Sequence, residues 1–301
     1  MRPGARWVVR ADDVGGRWQV HAPRPWSADV HLALICNPGP AAVLAAFDLP
    51  IGVPRTWARR AGVTGFREVL RRMDDGSWPE FHLPAEAPAQ VSPQRPFYPQ
   101  RPGGTRRDDL VRGLGMASSD DLLRQCDLPV PGAMGAAAPV FWLVGPQQVG
   151  KGALSAWREV IIPALRSPSV RLWPMDGSLR DLLHPGTSVI GESYPRAAYE
   201  WPLAFPRSGW SKRRQLDRRD RGRDTAKWLA ASGLPVTLDE EMDAALRDGF
   251  GPASSGEDPF DATVGAVQAI AILEGLLPEM PPGLPKSTLT SEGWILGRPR
   301  G

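Results

Sequence analysis

Four carboxylates stand where this chain could perform metal-assisted chemistry: Asp48, Glu192, Asp258 and Asp261. Asp48 closes the apolar run Val43-Leu44-Ala45-Ala46-Phe47, and Pro50, Gly52 and Pro54 follow at once. Such a run reads as a buried strand, and the breakers behind it deliver one acid to a rigid turn. Glu192 ends the run Ser188-Val189-Ile190-Gly191 in the same manner. Asp258 and Asp261 open a helical pattern, with Asp258 placed as N-cap and Pro259 as the first helical residue. Their spacing of three puts both acids on one side of the first turn. Each acid also has a structural role open to it. Asp48 can bond the amides of its own turn, Asp258 can cap, and Asp261 can balance the helix dipole.

If Asp48, Glu192 and Asp261 converge, each pair of charges ~4 Å apart repels by about 4 kcal/mol at an effective dielectric of 20. Protons or cations must then neutralise the cluster. Hard oxygen donors suit Mg²⁺ or Mn²⁺. Two such ions activate a water and stabilise the leaving oxygen of a phosphodiester, with Asp48, Glu192 and Asp261 as catalytic ligands and Asp258 as ligand or cap.

Two further stretches carry phosphate chemistry. Gly145-Pro-Gln-Gln-Val-Gly150-Lys151-Gly152 matches most of a phosphate-binding loop, although Gly152 replaces the Ser or Thr that holds Mg²⁺. It is read as a nucleotide site, as a glycine turn feeding a helix, or as a source of one phosphate contact from Lys151. Between Arg207 and Asp224 lies a basic run in which Lys212, Arg213 and Arg214 have no acid among them. These three are the candidate contacts to a nucleic-acid backbone, with Trp210 free to stack on a base. Further along, Asp217, Asp220 and Asp224 sit at pairing distance from the arginines, as on a solvated helix.

The elements that must position these groups alternate. Residues 6–10 and 17–22 predict a hairpin around Asp12–Gly16, and 43–47, 138–144, 170–173 and 188–193 predict strands. Residues 55–72, 153–165, 225–231, 238–250 and 258–277 predict helices. Residues 78–104 hold too many prolines for regular structure and read as a long loop. The class is α/β: one domain over 1–277, with a Pro-rich insertion at about 78–104, then a Pro/Gly-rich tail over 278–301 containing a short strand at 293–296.

With 301 residues and 42% hydrophobic content the chain can bury a sizeable core, and its 33 prolines and 32 glycines argue against a helical bundle. The net charge of +3 permits a nucleic-acid partner without requiring one. Two cysteines, Cys36 and Cys126, and four scattered histidines give no zinc pattern and no disulfide framework, which suits a reducing cytosol. No apolar run approaches a membrane span, and the start of the chain lacks the apolar core of a signal peptide.

FDLPIGVP (47–54), GESYPRAAYEW (191–201) and GEDPFDATVGAV (256–267), in this order, resemble a family of predicted nucleases with a ribonuclease H-like fold, known mainly as a domain of unknown function. The resemblance extends to 141–165 and 171–177. It implies a mixed central sheet opening with an antiparallel hairpin and flanked by helices, with divalent-metal phosphodiester hydrolysis at Asp48, Glu192, Asp258 and Asp261. The family's first strand opens with a Gly-x-Asp-Gly element ahead of a PGGWVV-like stretch. Here MRPGARWVVR supplies the later part without that aspartate. Either the natural start lies upstream or a ligand is lost. In the second case the chain is a non-catalytic member that binds nucleic acid or a protein. An NTP-binding protein using Gly145–Lys151 is the third reading.

Overall fold

The computed structural model describes residues 6–99, 106–144 and 149–301. The chain is α/β and divides into two units, Met1–His31 with Ser193–Glu279, and Leu32–Glu192 with Met280–Gly301. Eight short strands are described: β1 (Trp7–Val8), β2 (Ala11–Asp13), β3 (Trp18–Val20), β4 (Arg24–Pro25), β5 (Val43–Phe47), β6 (Val170–Leu172), β7 (Ser188–Glu192) and β8 (Val236–Leu238). Among the described residues no helix is long and apolar enough to cross a membrane.

In the second unit, β5, β7 and β6 form a parallel sheet with β7 in the centre, and all five residues of β7 are buried. Such burial explains why β7 reads as a near-continuous apolar run rather than an alternating one. The register pairs Val43 with Ser188 and Phe47 with Glu192, so β5 and β7 end side by side. Helices follow at Arg55–Arg60 and Phe66–Asp74. They replace the single helix expected over 55–72, because Gly62 takes a left-handed φ of 64° and ends the first of them.

The expected strand at 138–144 is not formed among the described residues there, where only an isolated bridge pairs Trp142 with Tyr98. The described part of the Pro-rich stretch lacks regular strands and long helices, as expected, but its aromatics are buried. Trp78, Phe81, Phe97 and Tyr98 are buried, and Phe81 and Phe97 pack with each other and with Trp57, Phe141 and Trp157 at ring separations of 5.4–6.0 Å. Prolines deny this stretch ladder hydrogen bonds, while its aromatics supply the burial that fixes it. Residues 280–301 also join this unit. They hold the helix Lys286–Glu292 and the buried Trp294, Ile295 and Leu296, and Ile295 bridges β7 at Glu192.

The helix Phe66–Asp74 begins with a side-chain clasp. The Thr64 amide and hydroxyl both donate to Glu68, at 2.7 and 2.9 Å. These bonds, the amide first, hold the Glu68 carboxyl down at about 2, with Arg72 adding to them. A depressed acid stabilises above its unfolded range, near 4.5, and that contribution is lost as pH falls through about 2. Glu68→Gln is therefore expected to cost about 0.5–1 kcal/mol at pH 7 in urea unfolding. Wild type and variant should converge as the pH drops from 4.5 toward 2. A penalty independent of pH would show that the charge is not what matters.

In the first unit, β2 and β3 pair antiparallel and β8 adds parallel to β3, while β1 pairs with β4. The predicted hairpin is present, with its main pairing at 11–13 and 18–20. It does not open a single central sheet that includes residues 43–47. The sheets are small and separate, because β3 takes its second partner from residues 236–238 and helical turns over 28–36 intervene before β5. Four helices complete this unit: Pro195–Glu200, Gln215–Ala231, Glu240–Asp248 and Glu257–Leu273. Tyr199, Phe205, Phe260, Val264 and Val267 form one of its cores.

Candidate functional site

Asp48 lies exposed in the turn that follows β5, beside the end of β7. The carboxyl ends of parallel strands are where α/β sheets place their ligands. Glu192, the last residue of β7, is buried, and its carboxylate faces inward. Both of its oxygens accept from the Arg124 guanidinium, at 2.6 and 2.7 Å, and Oε2 also accepts the Ile51 amide at 2.6 Å. Burial pushes the Glu192 carboxyl up, and the Arg124 charge with these hydrogen bonds pulls it part of the way back. Arg124 is itself buried and binds Asp127 through Nε and Nη2, at 2.9 and 2.8 Å. Burial opposes its charge, but Asp127 and Glu192 more than offset this and raise it above the usual arginine range.

These bonds also hold the Asp48 turn. The Ile51 amide goes to Glu192, the Val53 amide to the Ser291 carbonyl at 2.8 Å, and the Arg55 amide to Glu292 Oε1 at 2.9 Å. Trp157 donates its indole N–H to the Pro50 carbonyl at 2.8 Å. Glu192 thus braces the turn that presents Asp48, and Glu292 does the same from the C-terminal helix.

In the other unit, Asp258 and Asp261 lie in the first turns of the helix Glu257–Leu273. The N-cap is Gly256 rather than Asp258, because the helix begins two residues earlier than the Asp-Pro pair suggests. Asp258 is exposed, whereas Asp261 is buried. Asp261 accepts the Tyr199 hydroxyl on Oδ1 and the Lys212 ammonium on Oδ2. Burial pushes its carboxyl up, against the pull of the Lys212 charge and of both hydrogen bonds.

Lys212 is therefore ion-paired to Asp261, with its side chain half-buried. Its carbonyl accepts from Arg218, a buried guanidinium that also donates to the carbonyls of Gly249 and Gly251, at 2.8 and 2.7 Å. Trp210 packs edge-on against Tyr199, Phe205 and Phe260. Arg214 pairs with Asp217 at 2.6 Å, and Arg213 is exposed. Of the phosphate-loop match, Gly145–Gln148 lie outside the described residues. Lys151 is exposed on the helix Val149–Ala156. Gly150 answers a packing need, since a Cβ there would stand 2.3 Å from the Val140 carbonyl oxygen.

The structure thus places Asp48 and Glu192 at neighbouring strand ends in one unit and Asp258 and Asp261 on one helix in the other. Arg124, Tyr199 and Glu292 carry roles that the sequence reading missed. Tyr199 lies inside the GESYPRAAYEW stretch, eight positions after Gly191. Arg124 sits in SSDDLLRQCD, where no spacing marks it.

Both oxygens of Glu192 accept from Arg124, and those of Asp261 accept from Tyr199 and Lys212. Among the described residues no group of three His, Cys, Asp or Glu side chains is arranged to hold a metal. Comparison with protein-family models, with curated proteins and with solved structures finds no match for this chain.

Proposed function

We propose that this chain is a nucleic-acid-binding protein of ribonuclease H-like type that binds without cutting. The observation that carries this reading is the pairing of two of its buried acids with the protein's own cations, Glu192 with Arg124 and Asp261 with Lys212. A hydrolytic centre needs such carboxylates open to metal, and a binding protein does not.

The surface that would meet the nucleic acid is the basic helix and its approach. With Lys212 and Arg218 committed internally, residues 213–227 keep six basic side chains (Arg213, Arg214, Arg219, Arg221, Arg223 and Lys227) against Asp217, Asp220 and Asp224. Arg213, Arg214, Arg223 and Lys227 are exposed. A surplus of three charges predicts a salt slope of about −2 to −3 in log K against log salt on duplex DNA.

In fluorescence anisotropy with labelled DNA and RNA, Arg213→Glu/Arg223→Glu/Lys227→Glu is expected to weaken binding by about tenfold or more and to flatten that slope. Both strands should stay intact with Mg²⁺ or Mn²⁺ present. Unchanged affinity and slope in the triple variant would remove the assignment.

A second reading, a divalent-metal-dependent nuclease, is favoured by one feature. Asp48 is exposed at the carboxyl end of β5, next to the end of β7. Metal-dependent cleavage by the wild type that Asp48→Asn abolishes would establish it over the first.

A further inference from the structure

His21 is gripped by an acid on each side of its ring. Nε2 stands 3.0 Å from Asp12 Oδ2 on β2, and Nδ1 stands 3.1 Å from Asp239 Oδ2 at the N-cap of the helix Glu240–Asp248. An ionised carboxylate only accepts hydrogen bonds, and a neutral imidazole donates from one nitrogen alone. Both contacts are hydrogen bonds together only when both ring nitrogens carry a proton. We infer that His21 is a proton-operated clasp: as imidazolium it ties β2 to the cap of the helix Glu240–Asp248, and as neutral imidazole it releases one of the two.

Both acids are fixed by further partners. Asp12 Oδ1 accepts from Arg10 Nε at 2.8 Å. Asp239 Oδ1 accepts the Met242 amide at 2.7 Å, which is the capping bond of the helix, and its Oδ2 also accepts the Ala22 amide at 3.4 Å. Burial pushes the Asp239 carboxyl up, but the Met242 amide, His21 and the Ala22 amide outweigh it and hold it below the usual aspartate range. The backbones that present the ring and its acceptors pair beside it, with the His21 amide on the Arg10 carbonyl at 2.9 Å and the Asp239 amide on the Val20 carbonyl at 3.1 Å. Arg10 is the cation on the hairpin side, and an exposed Arg24–Glu241 pair joins β4 to the same helix. None of these groups changes charge between about pH 5 and 8, where histidine does.

The His21 and Asp12 side chains are 34% exposed and that of Asp239 is 25% exposed, so water reaches the ring and can take its proton. A proton lost from either nitrogen turns a lone pair toward a carboxylate, which repels it. The clasp is closed on the acid side and opens as the pH rises. The helix at its far end backs the basic helix Gln215–Ala231. A Cβ at Gly222 would stand 2.4 Å from the Leu246 carbonyl oxygen, and Gln215 donates to the Asp248 carbonyl and to its Oδ1 at 2.9 and 3.0 Å.

Nuclear magnetic resonance of the ring nitrogens in ¹⁵N-labelled protein reads the clasp directly, and hydrogen exchange at the Met242 amide, corrected for its intrinsic rate, reads the cap. Both ring nitrogens of His21 are expected to carry protons at about pH 5, and only one at about pH 8. Met242 is expected to exchange about fivefold or more faster at the higher pH, the worth of one hydrogen bond. His21→Gln, which cannot bridge acids on opposite sides of a ring, should show no such change. Asp12→Asn should flatten it as well, because an amide donates to the nitrogen that a neutral ring leaves bare, and it serves if the Gln variant does not fold. A neutral ring in the folded protein at about pH 5 would overturn the inference. So would equal Met242 exchange at both pH values in the wild type, or a pH dependence that persists in a folded His21→Gln or Asp12→Asn variant.

Discussion

Arg124→Met is expected to lower stability by about 3–5 kcal/mol in urea unfolding at pH 7. All five guanidinium N–H groups of Arg124 are used, on Asp127, Glu192 and the Glu292 carbonyl, and the side chain is 1% exposed. Asp127 and Glu192 are 2% and 3% exposed, so without Arg124 two carboxylates remain in a dry setting with no cation among their bonded partners. The sign with pH follows from Glu192. Its carboxyl is raised in the fold, so its contribution is most favourable at low pH and fades as pH rises through the folded value. Arg124 is the main offset to that loss, and its removal steepens it. The penalty should therefore be larger at pH 7 than at pH 4.5. Glu192→Gln keeps a similar volume and removes one buried charge, so it should cost less, about 1–3 kcal/mol. A cost below about 1 kcal/mol for Arg124→Met would mean that water screens this cluster in solution.

Strand β5 was legible as a strand because five apolar residues end at breakers, though it is half-buried rather than buried as expected, and β7 because five buried residues leave no alternation to misread. The placement of Asp48 and Glu192 at strand ends followed from the same signals, and their adjacency came only with the sheet order. Strand partners are set by contacts hundreds of residues apart, which is why a single central sheet was expected where β3 in fact pairs with β8. The Pro-rich stretch was legible as irregular, but its burial was not. Proline density predicts the lack of ladder hydrogen bonds, but burial is decided by aromatics such as Phe81 and Phe97, both 0% exposed.

Charge patterning showed only the near partners: Lys212-Arg213-Arg214 has no acid within it, and the partner of Lys212 is Asp261, 49 positions away. The acids and the basic run were read as two sites, one for metal and one for phosphate. In the fold one member of each, Asp261 and Lys212, form an ion pair. Arg124 was silent for the same reason. A buried arginine is recognised by its partners, and Glu192 lies 68 positions on.

Gly52→Ala is expected to cost at least about 3 kcal/mol, or to prevent folding. Gly52 has a φ of 145°, a region open to glycine and strained for any residue with a Cβ. Space is lacking as well. A Cβ there would stand 2.1 Å from the Glu292 carbonyl oxygen and 2.4 Å from its carbon. The obstacle is backbone and cannot swing aside. It belongs to the C-terminal helix whose Ser291 carbonyl and Glu292 carboxylate hold the Val53 and Arg55 amides. Pushing that helix away strips amides of the Asp48 turn of their acceptors, so strain at one glycine spreads to the presentation of Asp48. Gly293→Ala probes the same contact from the opposite side, with φ at 66° and the Ile51 carbonyl oxygen 2.3 Å from the added carbon. Because the two glycines share one interface, the double variant should cost less than the sum of the singles. Strict additivity would show that the turn and the C-terminal helix do not support each other.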